Sequence, residues 1–391
     1  MPWASKPRER PPEMTDLVLR NARIVLADAV IDGSIVVRDG RIAEISTGPS
    51  AIGEDMGGDF VIPGLVELHT DHLEGHYAPR PRVRWNPIAA VLAHDAQVAS
   101  AGITTVFDAL RVGIDDDSDM TSADMRLLAD AIEDSVRQDR VRADHFIHLR
   151  CEVSANDCQA GFAVFDGDDR VKLASLMDHA PGQRQFVDFD TYAYYYQRKL
   201  KLNDVEFKAF CDKRMGDSAR NSALNREAIS VACHTRGIVL ASHDDATSTH
   251  VDEAIAQGIR VAEFPTTVEA ASASKAGGLG VLMGAPNVMR GVSHSGNVSA
   301  RALAEQGLLD ILSSDYIPFS LIQSAFFLGE VVEGITLPQA VAMVSKNPAE
   351  AVGLSDRGVI EAGRRADLVR VRVDEHVPVV RTVWREGRRV A

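Results

Sequence analysis

Phe60-Val61-Ile62-Pro63-Gly64-Leu65-Val66-Glu67-Leu68-His69-Thr70-Asp71 is an apolar run that stops at a glutamate, an imidazole and a second carboxylate. Further runs follow, and most also end in polar clusters. Residues 104–107 lead to Asp108, 146–149 to Arg150-Cys151-Glu152, 173–177 to Asp178-His179, and 238–241 to Ser242-His243-Asp244-Asp245. Residues 260–262 lead to Glu263, 281–283 to Gly284-Ala285-Pro286-Asn287, and 311–312 to Ser313-Ser314-Asp315. Short β-branched runs of this kind read as parallel strands buried on both faces, and a barrel of such strands carries its chemistry at their C-terminal ends. A core strand gains nothing from terminal histidines and carboxylates, whereas a metal site needs them there. The expected fold is α/β, a metal-dependent (β/α)8 barrel.

Between the runs lie helical patterns. Residues 123–138 carry Met125, Leu128, Ala131, Ile132 and Val136 at mostly three- and four-residue spacing, and 226–236, 299–306 and 337–345 behave similarly. Strand, polar cluster and helix in repeat make right-handed βαβ crossovers the economical topology. At the N-terminal end short strands (17–19, 23–26, 34–37, 41–45) are separated by the hairpin signals Asp32-Gly33 and Asp39-Gly40. Residues 366–373 and 379–384 read the same way. Neither end is long enough to bury a core alone, so both are expected to join in one small composite β-sandwich, 15–58 with 357–391. The barrel then occupies 59–356 with an insertion at 183–225, and a proline- and charge-rich tail, 1–14, is expected to be disordered. The insertion holds Tyr192-Ala193-Tyr194-Tyr195-Tyr196, which reads as a substrate lid, a dimer contact or a packed helical hairpin.

Composition narrows the partners. The chain has 391 residues, 45% hydrophobic and 25% charged, enough for one barrel and a smaller module. A net charge of −14 argues against nucleic acid and anionic membrane as partners. Cys151, Cys158, Cys211 and Cys233 show no CxxC or zinc-finger spacing, which suits a reducing compartment. No stretch approaches the roughly 18 apolar residues of a membrane span, and no leader pattern opens the chain. A cytoplasmic location is expected, and a homodimer is left open.

His69 and Asp71 are one residue apart, so in extended chain both can reach one ion. Imidazole with carboxylate suits Zn, Mn, Fe or Ni, as one ion or two. A lone His-x-Asp says little. Its weight comes from Glu152, His179, His243, Glu263 and Asp315 at equivalent ends of later strands, and these seven residues are the expected metal ligands. Asp244 and Asp245, just ahead of Ala246-Thr247-Ser248, read instead as helix caps. His94, His145, His148 and His234 read as structural, although His148 shares a face with Glu152. Asp108 reads as scaffolding. His72 and His76 stand just past the metal pair, His72 as an orienting partner or a solvent contact.

Val61-Ile62-Pro63-Gly64-Leu65-Val66-Glu67-Leu68-His69 resembles the amidohydrolase superfamily, as do Lys346-Asn347-Pro348-Ala349 and Gly358-Val359-Ile360-Glu361-Ala362-Gly363-Arg364-Arg365-Ala366-Asp367-Leu368-Val369. The resemblance covers the chain from residue 15 and implies a metal-bearing barrel with a composite β-sandwich. Three positions depart from the usual pattern. His69-x-Asp71 stands in place of His-x-His, no lysine ends the fourth strand to form a carbamate bridge, and Glu263 replaces a histidine. The resemblance implies that Glu152 can serve as a bridging carboxylate instead. Leu176-Met177-Asp178-His179-Ala180-Pro181-Gly182-Gln183-Arg184-Gln185-Phe186, Ala262-Glu263-Phe264-Pro265-Thr266-Thr267, Ser293-His294-Ser295-Gly296-Asn297 and Leu312-Ser313-Ser314-Asp315-Tyr316 are similar to a branch serving the carbon–phosphorus lyase pathway of phosphonate degradation. That likeness implies hydrolysis of a small-molecule sugar phosphonate, α-D-ribose 1-methylphosphonate 5-triphosphate, to the 5-phosphate plus pyrophosphate.

A triphosphate on a protein of net charge −14 requires clustered arginines. Arg80, Arg82 and Arg84, spaced by prolines that disfavour helix, are expected to form an extended comb for phosphate. Arg150, Arg184 and Arg290 lie in or near other catalytic-face loops, and Arg184, inside a long motif, is the foremost of them. About half of the six are expected to be ordinary solvated arginines. Asp315 is the candidate general base, and His294 the candidate hydrogen-bond donor to phosphate or leaving group. Two rivals remain: a deacetylase or cyclic amidase acting on a C–N bond, and a metal-free binding subunit of a phosphonate-processing assembly. The second should have lost its strand-end ligands.

Overall fold

A computed structural model describes residues 16–113, 120–184, 192–193, 197, 201–291 and 297–391. The tail 1–14, His294 and Tyr194 to Tyr196 lie outside the described residues.

The N-terminal end forms β1 (Leu17–Val25), β2 (Val30–Arg38), β3 (Arg41–Thr47), β4 (Glu54–Asp55) and β5 (Phe60–Pro63). The C-terminal end supplies three more strands, which pair with these in one eight-stranded sheet. Asp39-Gly40 makes the β2–β3 hairpin, with positive φ at both residues (48° and 74°), as a two-residue I′ turn requires. Asp32-Gly33 does not turn. Gly33 lies inside β2, where a Cβ would meet the Ser46 carbonyl oxygen at 2.0 Å; its absent side chain admits a neighbouring strand rather than a bend.

The decisive run, residues 60–66, divides between two sheets. Phe60 to Pro63 pair with the ends of the chain, and β6 (Leu65–Thr70) begins the barrel. Gly64 is the joint: its N–H donates to the Asp367 carbonyl, and a Cβ there would stand 2.2 Å from Thr104 Oγ1. Hydrophobicity alone could not reveal this, because both halves are fully buried.

The barrel continues through β7 (Ile103–Val112), β8 (Asp144–Glu152), β9 (Val171–Met177), β10 (Val239–His243), β11 (Val261–Glu263), β12 (Gly280–Gly284) and β13 (Ile311–Ser313). All neighbours are parallel, and a bridge between Thr70 and Asp315 brings the last strand back to the first. Val66, Leu68, Phe107, Leu173, Ala241, Val261, Leu282 and Ile311 fill the interior, and Phe146 of β8 packs against them, so every strand contributes to the core. Strands β14 (Leu368–Asp374), β15 (Val377–Arg385) and β16 (Arg388–Arg389) complete the end sheet. Asp144, at the start of β8, ties the two sheets together. It pairs with Arg357 and Arg365 at 2.7 Å each and with Arg385 at 3.3 Å.

The described part of the insertion is mostly one helix, Asp204–Arg236, of 33 residues. Asn203 and Glu206 form a capping box at its start, and Gly237 at φ 67° ends it. The helical pattern at 226–236 is therefore only the last third of this element. Polar and apolar residues alternate around the rest without a single apolar stripe, so periodicity there is weak. Asp178, just past β9, accepts hydrogen bonds from Ser218 and Ser222 and fastens the helix over the barrel mouth. All four cysteines are buried and unpaired. No helix among the described residues is long and apolar enough to cross a membrane.

Candidate metal and phosphate site

Two buried carboxylates organise the mouth. Glu263, at the end of β11, accepts from His69 Nδ1 at 2.8 Å through Oε1 and from His243 Nδ1 at 2.7 Å through Oε2. Glu152, at the end of β8, accepts from His179 Nδ1 at 2.7 Å. Its other oxygen takes the Ser154 hydroxyl and the His179 backbone N–H. In each pair the carboxylate fixes the tautomer, so the lone pair of a neutral imidazole sits on Nε2.

The three imidazoles meet different partners there. Asp244 Oδ2 lies 3.3 Å from His243 Nε2 and 3.7 Å from His179 Nε2, too open in geometry for a good hydrogen bond. Zinc–ligand bonds of about 2.0–2.2 Å in a tetrahedron put donor atoms about 3.3–3.6 Å apart. The 3.3 Å contact fits such an edge, and the 3.7 Å contact is slightly longer than one. His179, His243 and Asp244 each offer one ligand atom, mutually within 4.8 Å, so the donor set suits a divalent transition metal. Deeper in the barrel, His69, His148 and Glu263 form a second close group. His148 there donates from Nδ1 to the Leu68 carbonyl at 2.9 Å and meets Ser175 Oγ through Nε2 at 3.0 Å.

Electrostatics follow the same arrangement. Burial would depress the His179 imidazole, but Glu152 and Asp244 outweigh it and raise the pKa to about 10. Burial would likewise raise Glu152, yet His179, then Arg214 and Ser154, bring it to about 2. The two carboxylates around the His179 ring thus favour positive charge at that point. Burial pushes His148 down to about 3, which keeps that ring neutral. Glu67, enclosed in β6 and hydrogen-bonded to the Ser314 and His69 backbone N–H groups, is raised to about 7 by burial.

The expected ligands thus separate. His179 and His243 present nitrogens to a common point, whereas Glu152 and Glu263 stand behind the rings. Asp71 is an ion-pair partner of Arg150, Oδ2 to Nη1 at 3.3 Å. Asp315 closes the barrel through its backbone, donating its N–H to the His69 carbonyl at 3.1 Å with φ 55°. Asp244 is no helix cap: Thr247 caps the helix Ser248–Ala256. A left-handed φ of 57° turns Asp244 back into the mouth. Aspartate tolerates that conformation well, and nothing in the sequence marks it.

The arginine comb is not formed. The Val83 N–H donates to the Arg80 carbonyl, and Arg82 has φ 63°, so residues 80–83 turn instead of extending. Arg84 lies over the Tyr77 ring and 3.5 Å from Asp124. Arg184 is buried and paired with Asp245 and Glu253, which removes it as a free phosphate ligand. A buried guanidinium needs carboxylate partners, and a loop motif cannot disclose them. Arg290 is exposed at the end of the short helix Ala285–Arg290. Arg150 fits better: it lines the mouth, and its buried Nε has no partner among the described residues. Arg214 and Arg226, on the helix Asp204–Arg236, also reach inward and are buried. Burial, and then Arg184, pushes Arg226 down to about 10. No motif in the sequence marked these two.

Residues 229–391 match the model of the Amidohydrolase family. The α-D-ribose 1-methylphosphonate 5-triphosphate diphosphatase of Escherichia coli strain K12 is 46% identical over 378 residues, covering 96% of this chain and 100% of that enzyme. This chain belongs to the family of that diphosphatase. Among solved structures, an N-acetyl-D-glucosamine-6-phosphate deacetylase from Mycobacterium smegmatis superposes with a TM-score of 0.61 at 17% identity, covering 96% of this chain and 100% of that one. A 5-methylcytosine deaminase from Klebsiella pneumoniae gives 0.63 at 15% identity, with 96% and 98% covered. Those two share the fold.

Proposed function

We propose that this chain hydrolyses α-D-ribose 1-methylphosphonate 5-triphosphate to the 5-phosphate and pyrophosphate. The observation that carries the reading is identity of 46% along the entire length of a diphosphatase with that substrate in its name. In the reaction a water oxygen bonds to the α-phosphorus, the bond from that phosphorus to the bridging oxygen breaks, and pyrophosphate leaves with that oxygen.

His179, His243 and Asp244 would hold a divalent ion such as zinc or manganese, which supplies Lewis-acid activation of water and neutralises phosphate charge. Glu152 and Glu263 keep the Nε2 atoms aimed at that point through their bonds to Nδ1. Asp315, beside His69 at the barrel seam, is the proposed base that takes the water proton. Arg150, with its unpartnered Nε, is the proposed phosphate ligand, supported by Arg214 and Arg226.

Incubating metal-loaded protein with the triphosphate and separating the phosphate products tests the reading. Pyrophosphate as the sole inorganic product, lost in His243→Ala, supports it. Orthophosphate released one at a time overturns it, and turnover of amide substrates alone would move the chain to C–N hydrolysis.

A further inference from the structure

A second imidazole cluster lies on the helices that follow the first barrel strand. His72 and His76 stand one turn apart on the helix His72–Tyr77, and His94 comes from the helix Pro87–Ser100. Their ring centroids are 5.7 Å (His72–His76), 6.4 Å (His72–His94) and 6.1 Å (His76–His94) apart. Each offers one nitrogen, and the three nitrogens lie within 4.8 Å of one another.

What distinguishes this cluster from three packed rings is the support behind His94. Its Nε2 donates to Asp108 Oδ1 at 2.7 Å, and the other oxygen of Asp108 accepts from His145 Nδ1 at 2.7 Å. His145 Nε2 faces Asp95 Oδ1 at 3.3 Å, and Asp95 also takes the Arg142 and Ala143 backbone N–H groups. With the proton held on Nε2, the lone pair of His94 is on Nδ1. That atom is fully buried and has no hydrogen-bond partner among the described residues. A carboxylate behind one ring nitrogen and a bare lone pair on the other is how a metal-binding histidine is prepared.

The carboxylate behind His94 lies on the helix side of the barrel wall, while His72 reaches back to the Tyr316 backbone. Along β7, Phe107 joins the barrel interior, whereas Val106, Leu110 and Val112 join the packing of the surrounding helices. Asp108 has the parity of the second set, so it faces the helix layer. His76 Nε2 meets Gln97 Oε1 at 3.1 Å, a neutral contact that leaves the cluster without a bound carboxylate of its own.

We propose that His72, His76 and His94 form a separate site for a borderline-soft divalent ion, zinc, nickel, cobalt or copper, that staples the helix His72–Tyr77 to the helix Pro87–Ser100. Imidazole-only donors favour these ions over magnesium or calcium. The staple holds the segment directly after His69 and Asp71, so its role is positional.

The test is metal stoichiometry on the full chain. Protein is stripped with chelator, reloaded with Co2+, dialysed, and assayed for bound cobalt and its visible absorption in wild type, His76→Ala, His72→Asn and His243→Ala. His72→Asn exchanges a half-buried ring for a smaller polar group and is the gentler variant if His76→Ala folds poorly. The expected result is one equivalent fewer in both His72→Asn and His76→Ala, with that equivalent retained in His243→Ala. Wild-type stoichiometry in both cluster variants overturns the proposal. So does a single equivalent that His243→Ala also removes.

Discussion

Glu263 Oε2 accepts from His243 Nδ1 at 2.7 Å, and that one bond decides which nitrogen of His243 faces the barrel mouth. Because Oε1 of the same carboxylate holds His69 at 2.8 Å, two rings from opposite parts of the chain are set by a single side chain.

Glu263→Gln should therefore weaken metal binding without removing a ligand from the His179–His243–Asp244 group. Loss of an orienting carboxylate of this kind costs about 10–100-fold in metal affinity. Competition with a chromogenic chelator reads the change, and unchanged affinity would show that Glu263 does not orient the rings.

Asp244→Asn separates a ligand from a cap. Were Asp244 a helix cap, the exchange would be nearly neutral, because asparagine caps as well as aspartate. As a metal donor it should lower both metal retention and turnover by roughly 100-fold or more, about 2.7 kcal/mol, while the melting temperature of the metal-free protein stays near wild type. Asparagine also tolerates the left-handed backbone at this position, so strain does not confuse the result.

Arg150 and Arg184 should part company. Arg150→Ala should raise KM for the triphosphate by roughly 10–100-fold, the range for a lost charged hydrogen bond. Arg184→Ala should instead destabilise the fold by about 3–5 kcal/mol, because it leaves Asp245 buried and unpaired. Steady-state kinetics and denaturant melts on both variants check the pattern.

His145 lies between two carboxylates. Burial would lower its pKa, but Asp108 and Asp95 raise it to about 10. Folding therefore gains from its charge at pH below the ordinary value of 6.5, and the gain is lost progressively as pH rises from there through about 10. The melting-temperature gap between wild type and His145→Gln should be widest near pH 6 and narrow steadily by pH 10. A gap constant across that range would contradict the charged pair.

Much of this architecture was legible in the sequence because fully buried parallel strands leave short apolar runs, and their polar ends mark one face of the barrel. His69, Glu152, His179, His243 and Glu263 stand at strand ends for that reason. What the sequence could not separate is a ligand from the group behind it. Glu152 and His179 occupy equivalent positions, and only the Nδ1 contact shows which one faces outward. Asp244 looks like a cap in sequence because it stands just ahead of Thr247, which caps the helix, and its left-handed φ of 57° leaves no trace in residue type. Arg184 misled in the opposite direction, since its partners Asp245 and Glu253 lie 61 and 69 residues away. The helix Asp204–Arg236 carries Arg214 and Arg226 without an apolar stripe to announce it.

The most direct test of the central claim is product analysis on α-D-ribose 1-methylphosphonate 5-triphosphate with chelator-treated protein before and after adding Mn2+ or Zn2+. Pyrophosphate should appear in step with the 5-phosphate, only after metal is restored, and should vanish in His243→Ala. Pyrophosphate formed at the same rate without metal, or stepwise orthophosphate, would contradict the account.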